Sequence, residues 1–364
     1  MLVETDKAIY KTSFSHAQIE ITGVCNMRCT HCRASNEQSI FMDLNTIQMI
    51  LEFANINKND NFNLTISGGE PLMHPHFLEI MNLIRSYSFG EIVVTSNGSL
   101  LTESILSELN ELNFSNLTIQ LSLDSVNSFE HDKKRNYVGA FQKVIQSLKF
   151  LKKYPKLNSS VRMTVTRETI NQIEDMIELL VDLGVSRLGV GSVIPVGKGA
   201  EDDKVLTPNE KYNFLTNLAI LSRKWRNKIE IVTEDPLKCL VLNNPWISEK
   251  VYEIESNPIV FGGCTAGIDC FNVNTFYEIT PCSVFNEPLV EDIRKFKNVE
   301  ELTKAYESSQ LLKKLCLRHF TGECEHCKHK RICGGCRATA NYFGNSYFAS
   351  DKTCWYRGGE GHGK

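Results

Sequence analysis

Six short stretches of the chain, residues 18–22, 63–67, 91–96, 117–124, 161–166 and 187–194, read as β-strands, several of them with apolar and polar residues in strict alternation. Between them the apolar positions recur at helical spacing. Leu44, Ile47, Ile50 and Leu51 form one such set, and Ile170, Ile173, Met176, Ile177 and Leu180 another. Strand-like and helix-like runs alternating at roughly 30–45 residues predict parallel strands joined by right-handed helical crossovers.

The alternation also says what each strand faces. In residues 117–124, Leu117, Ile119, Leu121 and Leu123 lie on one side and Thr118, Gln120, Ser122 and Asp124 on the other. The polar side of 161–166 is Arg162, Thr164 and Thr166, and that of 18–22 is Gln18, Glu20 and Thr22. A parallel sheet covered by helices on both faces is apolar on both, and a closed eight-stranded barrel fills its lumen with aliphatic side chains. The pattern therefore predicts an α/β fold: a curved sheet of about six strands, a partial (β/α)6 barrel of TIM type, with helices only outside and a polar inner wall around a cavity. The alternative is an ordinary sheet with one solvated face. Intervening helices of this length disfavour it, because they need a sheet surface to cover.

With 364 residues, 42% hydrophobic and 23% charged, the chain can bury a large core, which excludes peptide, fibre and disordered-tail readings. Forty Lys and Arg against 43 Asp and Glu supply no drive toward nucleic acid or anionic lipid. Residues 1–14 lack the apolar core of a signal peptide, and no run of about 18 apolar residues occurs. The reading is a cytoplasmic protein with neither a nucleic-acid nor a membrane partner. Thirteen cysteines in a reducing compartment remain thiols, which points to metal or redox chemistry.

The cysteines fall in blocks: Cys25, Cys29 and Cys32, then none before Cys239, then nine between Cys264 and Cys354. This suggests a barrel over residues 1–200, a bridging region over 201–260 with a helix at 209–225, a cysteine-rich domain over 261–356, and a flexible glycine-rich tail over 357–364.

Cys25, Cys29 and Cys32 follow the first of the six strands directly, at the end where α/β enzymes place chemistry. A zinc site wants four ligands. Three thiolates hold three corners of a cubane iron-sulfur cluster and leave the fourth iron open. The second strand ends in Ser67, Gly68, Gly69, Glu70 and Pro71, where glycines let backbone approach a ligand closely; a plain strand-to-helix turn would also explain them.

Together, in this order on consecutive strands, these motifs resemble those of the radical S-adenosylmethionine (SAM) superfamily. The resemblance implies a 4Fe-4S cluster held by Cys25, Cys29 and Cys32, with SAM on its open iron. It places His31, where the family usually has an aromatic residue, and Gly68, Gly69, Glu70, Pro71, Asn97, Ser122, Asp124 and Arg135 against the cofactor. Asn136 stands where a glycine commonly follows that arginine, which leaves the local loop geometry open.

The C-terminal block resembles the SPASM extension of such enzymes, so the likeness spans residues 16–356. By that likeness Cys264, Cys270, Cys282 and Cys336 hold auxiliary cluster I and Cys324, Cys327, Cys333 and Cys354 auxiliary cluster II, giving three 4Fe-4S clusters in all. Two departures stand out. Cys333 and Cys336 are separated by two residues where the family usually has three, and Tyr277 occupies a position where glycine is common, five before Cys282. Two zinc sites are the competing reading of this block. Cys239 and Cys316 remain over. Both read as buried structural thiols, with a role as hydrogen-atom or proton donor as the alternative.

The resemblance implies reductive cleavage of SAM to a 5'-deoxyadenosyl radical that takes hydrogen from a substrate. The first expectation is an oxidoreductase that modifies a peptide or protein by thioether or carbon-carbon cross-link, oxidation or epimerisation. It would draw electrons from an external donor such as flavodoxin or ferredoxin. With 24 residues before Cys25, leader recognition is assigned to a separate protein or to the bridging region. Alternatives are a tetrapyrrole or other small-molecule enzyme, an anaerobic sulfatase maturase, which Ser283 disfavours, and a non-catalytic electron carrier, which the Gly68–Pro71 stretch disfavours.

Overall fold

Each of the six stretches read as strands forms one. The computed structural model describes residues 1–33, 40–201, 204–241, 250–254 and 257–356; the expected tail at 357–364 and parts of the bridging region lie outside them. The chain opens with β1 (Leu2–Glu4), β2 (Ile9–Lys11) and β3 (Phe14–Thr22). Then α1 (Leu44–Asn57), β4 (Lys58–Gly68), α2 (Phe77–Arg85), β5 (Ile92–Ser96), α3 (Glu103–Glu111) and β6 (Leu117–Ser122) follow. After α4 (Ser128–Arg135) and α5 (Ala140–Leu151) come β7 (Leu157–Val165), α6 (Ile173–Leu183), β8 (Arg187–Ser192), α7 (Pro208–Trp225) and β9 (Glu230–Val232). The remainder holds β10 (Lys250–Ile254), β11 (Asn257–Phe261), β12 (Cys270–Val273), β13 (Ile279–Thr280), α8 (Val299–Ser308), α9 (Gln310–Leu317) and α10 (Arg337–Gly344).

The helices begin where the sequence supplies caps. Asp43, Thr102 and Asn127 accept from backbone N–H groups three residues on, and Thr207 and Glu210 form a reciprocal capping box that starts α7.

The main sheet runs β13-β12-β3-β4-β5-β6-β7-β8-β9, parallel from β12 to β9, with β13 antiparallel at one edge. The prediction of about six strands is therefore short by three. The additional strands are two to four residues long, too short to display an alternation. Among the described residues the sheet stays open, with β9 and β13 as its edges.

Its two faces differ as the alternation requires. Ile19, Ile66, Val94, Ile119, Met163 and Val190 are buried in one core with Ile47, Ile80, Leu106, Leu148 and Ile177 of the helices. Each such side chain contributes roughly 1.5–3 kcal/mol. On the other face His16 Nε2 meets Thr65 Oγ1 at 3.0 Å, and Gln18 Nε2 donates to Ser67 Oγ at 2.6 Å. Arg162 lies on this inner wall beside Gly189 and Gly191 of β8; a Cβ on Gly191 would stand 2.5 Å from its guanidinium. Glu234, just past β9, faces it at 4.0 Å.

The N-terminal strands and the end of the bridging region form a second, antiparallel sheet ordered β1-β2-β10-β11. The C-terminal part is welded to the barrel by a buried aromatic cluster. Phe14 of β3 lies 4.5 Å from Phe271 of β12 and 5.4 Å, edge-on, from Tyr306 of α8, whose hydroxyl donates to Gly267 O at 2.7 Å.

Candidate active site

The sheet's carboxyl end is built around two backbone loops locked together. Near the end of β3, Glu20 pairs with Ser67 and Thr22 with Gly68, so Ile21 is the extra residue of a bulge that bends the strand into the cysteine loop. Gly69 N then donates to Thr22 O at 2.7 Å and Glu70 N to Val24 O at 2.8 Å. A Cβ on Gly68 would lie 2.2 Å from Thr22 O, and one on Gly69 2.2 Å from Val24 O. The glycines thus let this loop pack directly against the cysteine loop.

Glu70 is wholly buried, and its carboxylate accepts from Ser96 Oγ at 2.8 Å, Asn97 N at 2.7 Å and Leu72 N at 3.3 Å. It therefore tethers the end of β5 to the end of β4. Burial raises its pKa to about 7, against the pull of those three donors and of Arg135. Pro71 starts the short turn that follows. Asn97 in turn reaches the cysteine loop: its Nδ2 donates to Asn26 Oδ1 at 2.9 Å and lies 3.9 Å from Cys25 Sγ.

A second group closes the site from the β6 side. Asp124 Oδ2 lies 2.6 Å from Arg135 Nη2 and 3.5 Å from His31 Nε2, while Oδ1 accepts from Thr164 N at 2.9 Å. Arg135 and His31 outweigh burial and hold the Asp124 carboxyl well below the ordinary carboxylate range. Burial lowers His31 to about 4, so its ring is neutral at physiological pH. Arg135 Nη1 lies 3.8 Å from Cys29 Sγ. Asn136 adopts φ 47° as the left-handed C-cap of α4, so the turn that glycine usually supplies is made here by asparagine.

Ser122 ends β6 on the inner face, and its partner in β7 is Arg162. His31, Asp124, Arg135, Asn97 and the loop at 68–71 thus stand around the three thiols. Glu70 acts on that group through Asn97, whose backbone its carboxylate holds.

Two connections were not read from the sequence. Arg33 donates to Glu20 Oε1 at 2.7 Å and to Ser283 O at 2.9 Å, joining the cysteine loop to the residue after Cys282. The charged neighbour of Cys32 and the glutamate on a polar strand face are the only signals for it. His131, fully buried, accepts from Asp124 N at its Nδ1, at 3.2 Å.

The C-terminal thiols form two groups. Cys282, Cys264 and Cys336 lie within electrostatic reach of one another, and Cys270 Sγ points to Pro281 O at 3.7 Å, beside Cys282. Cys324, Cys327, Cys333 and Cys354 line one cavity of about 120 Å³. Gly334 and Gly335, both left-handed at φ 72° and 56°, turn the chain so that Cys333 faces this cavity while Cys336 goes to the other group. Tyr277 takes φ 67°, again the conformation for which glycine is common.

Buried Arg318 cross-links the region, donating to Gly262 O and Lys330 O at 2.9 and 2.8 Å and to Cys264 O. Cys316 is fully buried among core side chains, with its thiol pushed up to about 12 by burial.

The donor chemistry fits iron-sulfur centres. All thirteen cysteines are free thiols, and thiolates are the ligands that such clusters take. Arg135 Nε and His131 Nε2 are buried with no hydrogen-bond partner, leaving unused donor capacity around Asp124.

Residues 19–204 match the radical SAM superfamily, just over half of the chain, and the protein belongs to that superfamily. Membership implies a 4Fe-4S cluster and SAM in an oxidoreductase-type enzyme. Among relatives, the chain is 28% identical over 352 residues to the AdoMet-dependent heme synthase of Methanosarcina barkeri, covering 94% of this chain and 96% of that protein. It is 26% identical over 329 residues to the antilisterial bacteriocin subtilosin biosynthesis protein AlbA of Bacillus subtilis, covering 88% and 66%. The fold is that of Streptococcus suis SuiB, solved bound to the precursor peptide SuiA, with a TM-score of 0.74 at 16% identity over 95% of this chain and 77% of that one. Among the described residues no helix is long and apolar enough to cross a membrane.

Proposed function

We propose that Cys25, Cys29 and Cys32 hold a cluster with one open iron, that SAM binds between this loop and the ends of β4, β5 and β6, and that the substrate lies in the polar lumen. Bound together, cluster and SAM supply a 5'-deoxyadenosyl radical able to remove hydrogen from an unactivated C–H bond. The chain's own residues do the positioning. Asn97 and Arg135 turn N–H groups toward the Cys25 and Cys29 sulfurs. The pairing of Asp124 with Arg135 holds the β6 side of the pocket rigid. The neutral His31 packs against it, and the tightly joined loops at 22–24 and 68–70 keep the cavity floor fixed.

The observation that carries this reading is the convergence of three thiols, a buried ion pair and the loop at 68–71 at one end of a parallel sheet. The two C-terminal thiol groups hold auxiliary clusters that bind substrate or pass electrons, with Cys264, Cys270, Cys282 and Cys336 on one and Cys324, Cys327, Cys333 and Cys354 on the other. An external one-electron donor such as flavodoxin or ferredoxin supplies the electron for the Cys25 loop's cluster, in a cytoplasmic setting.

The substrate we favour is a peptide. The open sheet edge gives an extended chain a way in, the hydrogen-bonding inner wall suits a peptide backbone, and AlbA is a bacteriocin biosynthesis protein. A second reading, a tetrapyrrole substrate, is supported by similarity along nearly the whole length of a heme synthase. Deuterium-labelled candidate substrates decide between them. Label from the true substrate passes into 5'-deoxyadenosine, and no transfer from any labelled peptide removes the first reading.

A further inference from the structure

Two glycines of β8 lie on the inner wall. Leu188 and Val190 are buried in the core with the helices, so Gly189 and Gly191 make the opposite face of the strand. A glycine inside a strand weakens it and marks a place that something approaches closely. Here that is the side chain of Arg162. Arg162 of β7 pairs with Gly189; a Cβ would stand 3.4 Å from its Cδ at Gly189 and 2.5 Å from its Nη2 at Gly191. Two side chains are thus forgone so that one arginine can lie across β8, with its guanidinium toward the carboxyl end of the sheet.

That guanidinium has little to hold. The side chain is only 33% exposed, yet among the described residues it makes no hydrogen bond, and its ion pair with Glu234 spans 4.0 Å to a side chain that is 83% exposed. Other arginines drawn into the fold use their N–H groups: Arg187 on Glu91 and Glu230, Arg318 on backbone carbonyls. A long, exposed pair contributes little and leaves the fork of donors open.

We propose that Arg162 is the anchor for a carboxylate of the substrate. The planar fork of an arginine binds both oxygens of a carboxylate side by side, and such a contact is stronger where water is partly withdrawn. Ser122, expected against the cofactor, is the partner of Arg162 in β6. A carboxylate held by Arg162 therefore lies beside the cofactor pocket and fixes which C–H bond of the substrate faces it. In a peptide the anchored group is an acidic side chain; in a tetrapyrrole it is a carboxylate arm of the macrocycle.

This rests on the reading that the substrate lies in the polar lumen. Binding is measured by titration calorimetry on the full-length, anaerobically reconstituted protein in the presence of SAM. The probes are two matched pairs: an end-blocked alanine-glycine heptapeptide with a central glutamate or glutamine, and a porphyrin with four propionate arms or its tetra-amide. Wild type is expected to bind the acid of one pair about ten- to a hundredfold more tightly than its neutral counterpart, and the pair concerned identifies the scaffold. In Arg162→Gln the preference is lost. Gly191→Ala keeps the arginine but puts a methyl group where its Nη2 lies; only the end of a flexible side chain has to move, so the fold survives while the preference falls. This variant carries the test should Arg162→Gln misfold. Glu234→Gln, which removes the competing carboxylate, keeps the preference or raises it, and its loss there contradicts the anchor.

Absence of any preference in wild type overturns the proposal, as does a preference that survives both Arg162→Gln and Gly191→Ala. A loss of SAM affinity in Arg162→Gln as large as the loss for the acid assigns the guanidinium to the cofactor and overturns it too. Release of 5'-deoxyadenosine by reduced wild type reports on the underlying reading separately. No cleavage with an intact preference for the acid faults that reading alone, and cleavage without the preference faults only the anchor.

Discussion

The Arg135 guanidinium lies 2.6 Å from the Asp124 carboxylate, and both are almost wholly out of solvent. Arg135 ends α4 and Asp124 follows β6, so this one pair sets the position of a helix end relative to the sheet edge beside Cys29. A buried pair is worth little against an apolar substitute but costs much to break from one side.

Asp124→Asn should therefore lower stability by on the order of 3–5 kcal/mol, since it leaves the guanidinium buried beside a thiol. Urea unfolding of the variant and of wild type measures it. A loss below about 1 kcal/mol, the range of an exposed pair, would mean that the pair does not organise the site.

Gly69→Ala puts a methyl group 2.2 Å from Val24 O, so the two motif loops must separate. Because a displacement of about 1 Å at a reacting centre costs on the order of a hundredfold, SAM cleavage should fall by that factor. The iron of the C-terminal groups should be unaffected. Full activity in Gly69→Ala would show that the packing of these loops is not needed.

Replacing Cys25, Cys29 and Cys32 together by alanine should reduce iron from about 12 to about 8 per chain and abolish cofactor cleavage. Iron analysis with an assay for 5'-deoxyadenosine tests both halves. Retained cleavage contradicts the assignment of this loop.

His131 introduces a pH dependence. Burial, assisted by Arg135, lowers its pKa to about 4, from an ordinary 6.5 in the unfolded chain. The unfolded state therefore binds the proton first, and the neutral ring's contribution is full above pH 6.5 and lost as pH falls toward 4. Between pH 7 and pH 5 wild type should lose about 2 kcal/mol more than His131→Asn, whose amide oxygen can still accept from Asp124 N. Parallel stability profiles for the two proteins would count against a neutral buried His131.

Much of this was legible in the chain because period-two alternation in β3, β6 and β7 is imposed by a core on one side and a polar lumen on the other. The short strands β9 to β13 were not, since pairings such as Lys11 with Glu253 are set by residues far apart in the chain and leave no local pattern. For the same reason the bond from Arg33 to Ser283 could not be foreseen. Asn136 and Tyr277 were legible as departures, but only their left-handed backbone shows that the turns survive without glycine. The three donors that hold the Glu70 carboxylate, Ser96, Asn97 and Leu72, lie at or after the ends of different strands and left no local signal either.

The central claim is that one iron at the Cys25 loop is left without a protein sulfur and is taken by SAM. Its most direct test is spectroscopic: electron paramagnetic resonance of the reduced, anaerobic protein in which only this cluster remains, made by replacing Cys270, Cys282, Cys324 and Cys327 by alanine, with SAM labelled by nitrogen-15 at its amino group. The account predicts a changed signal on adding SAM and a hyperfine coupling to the label. An unchanged signal with no coupling, in protein that carries about four irons, would contradict it.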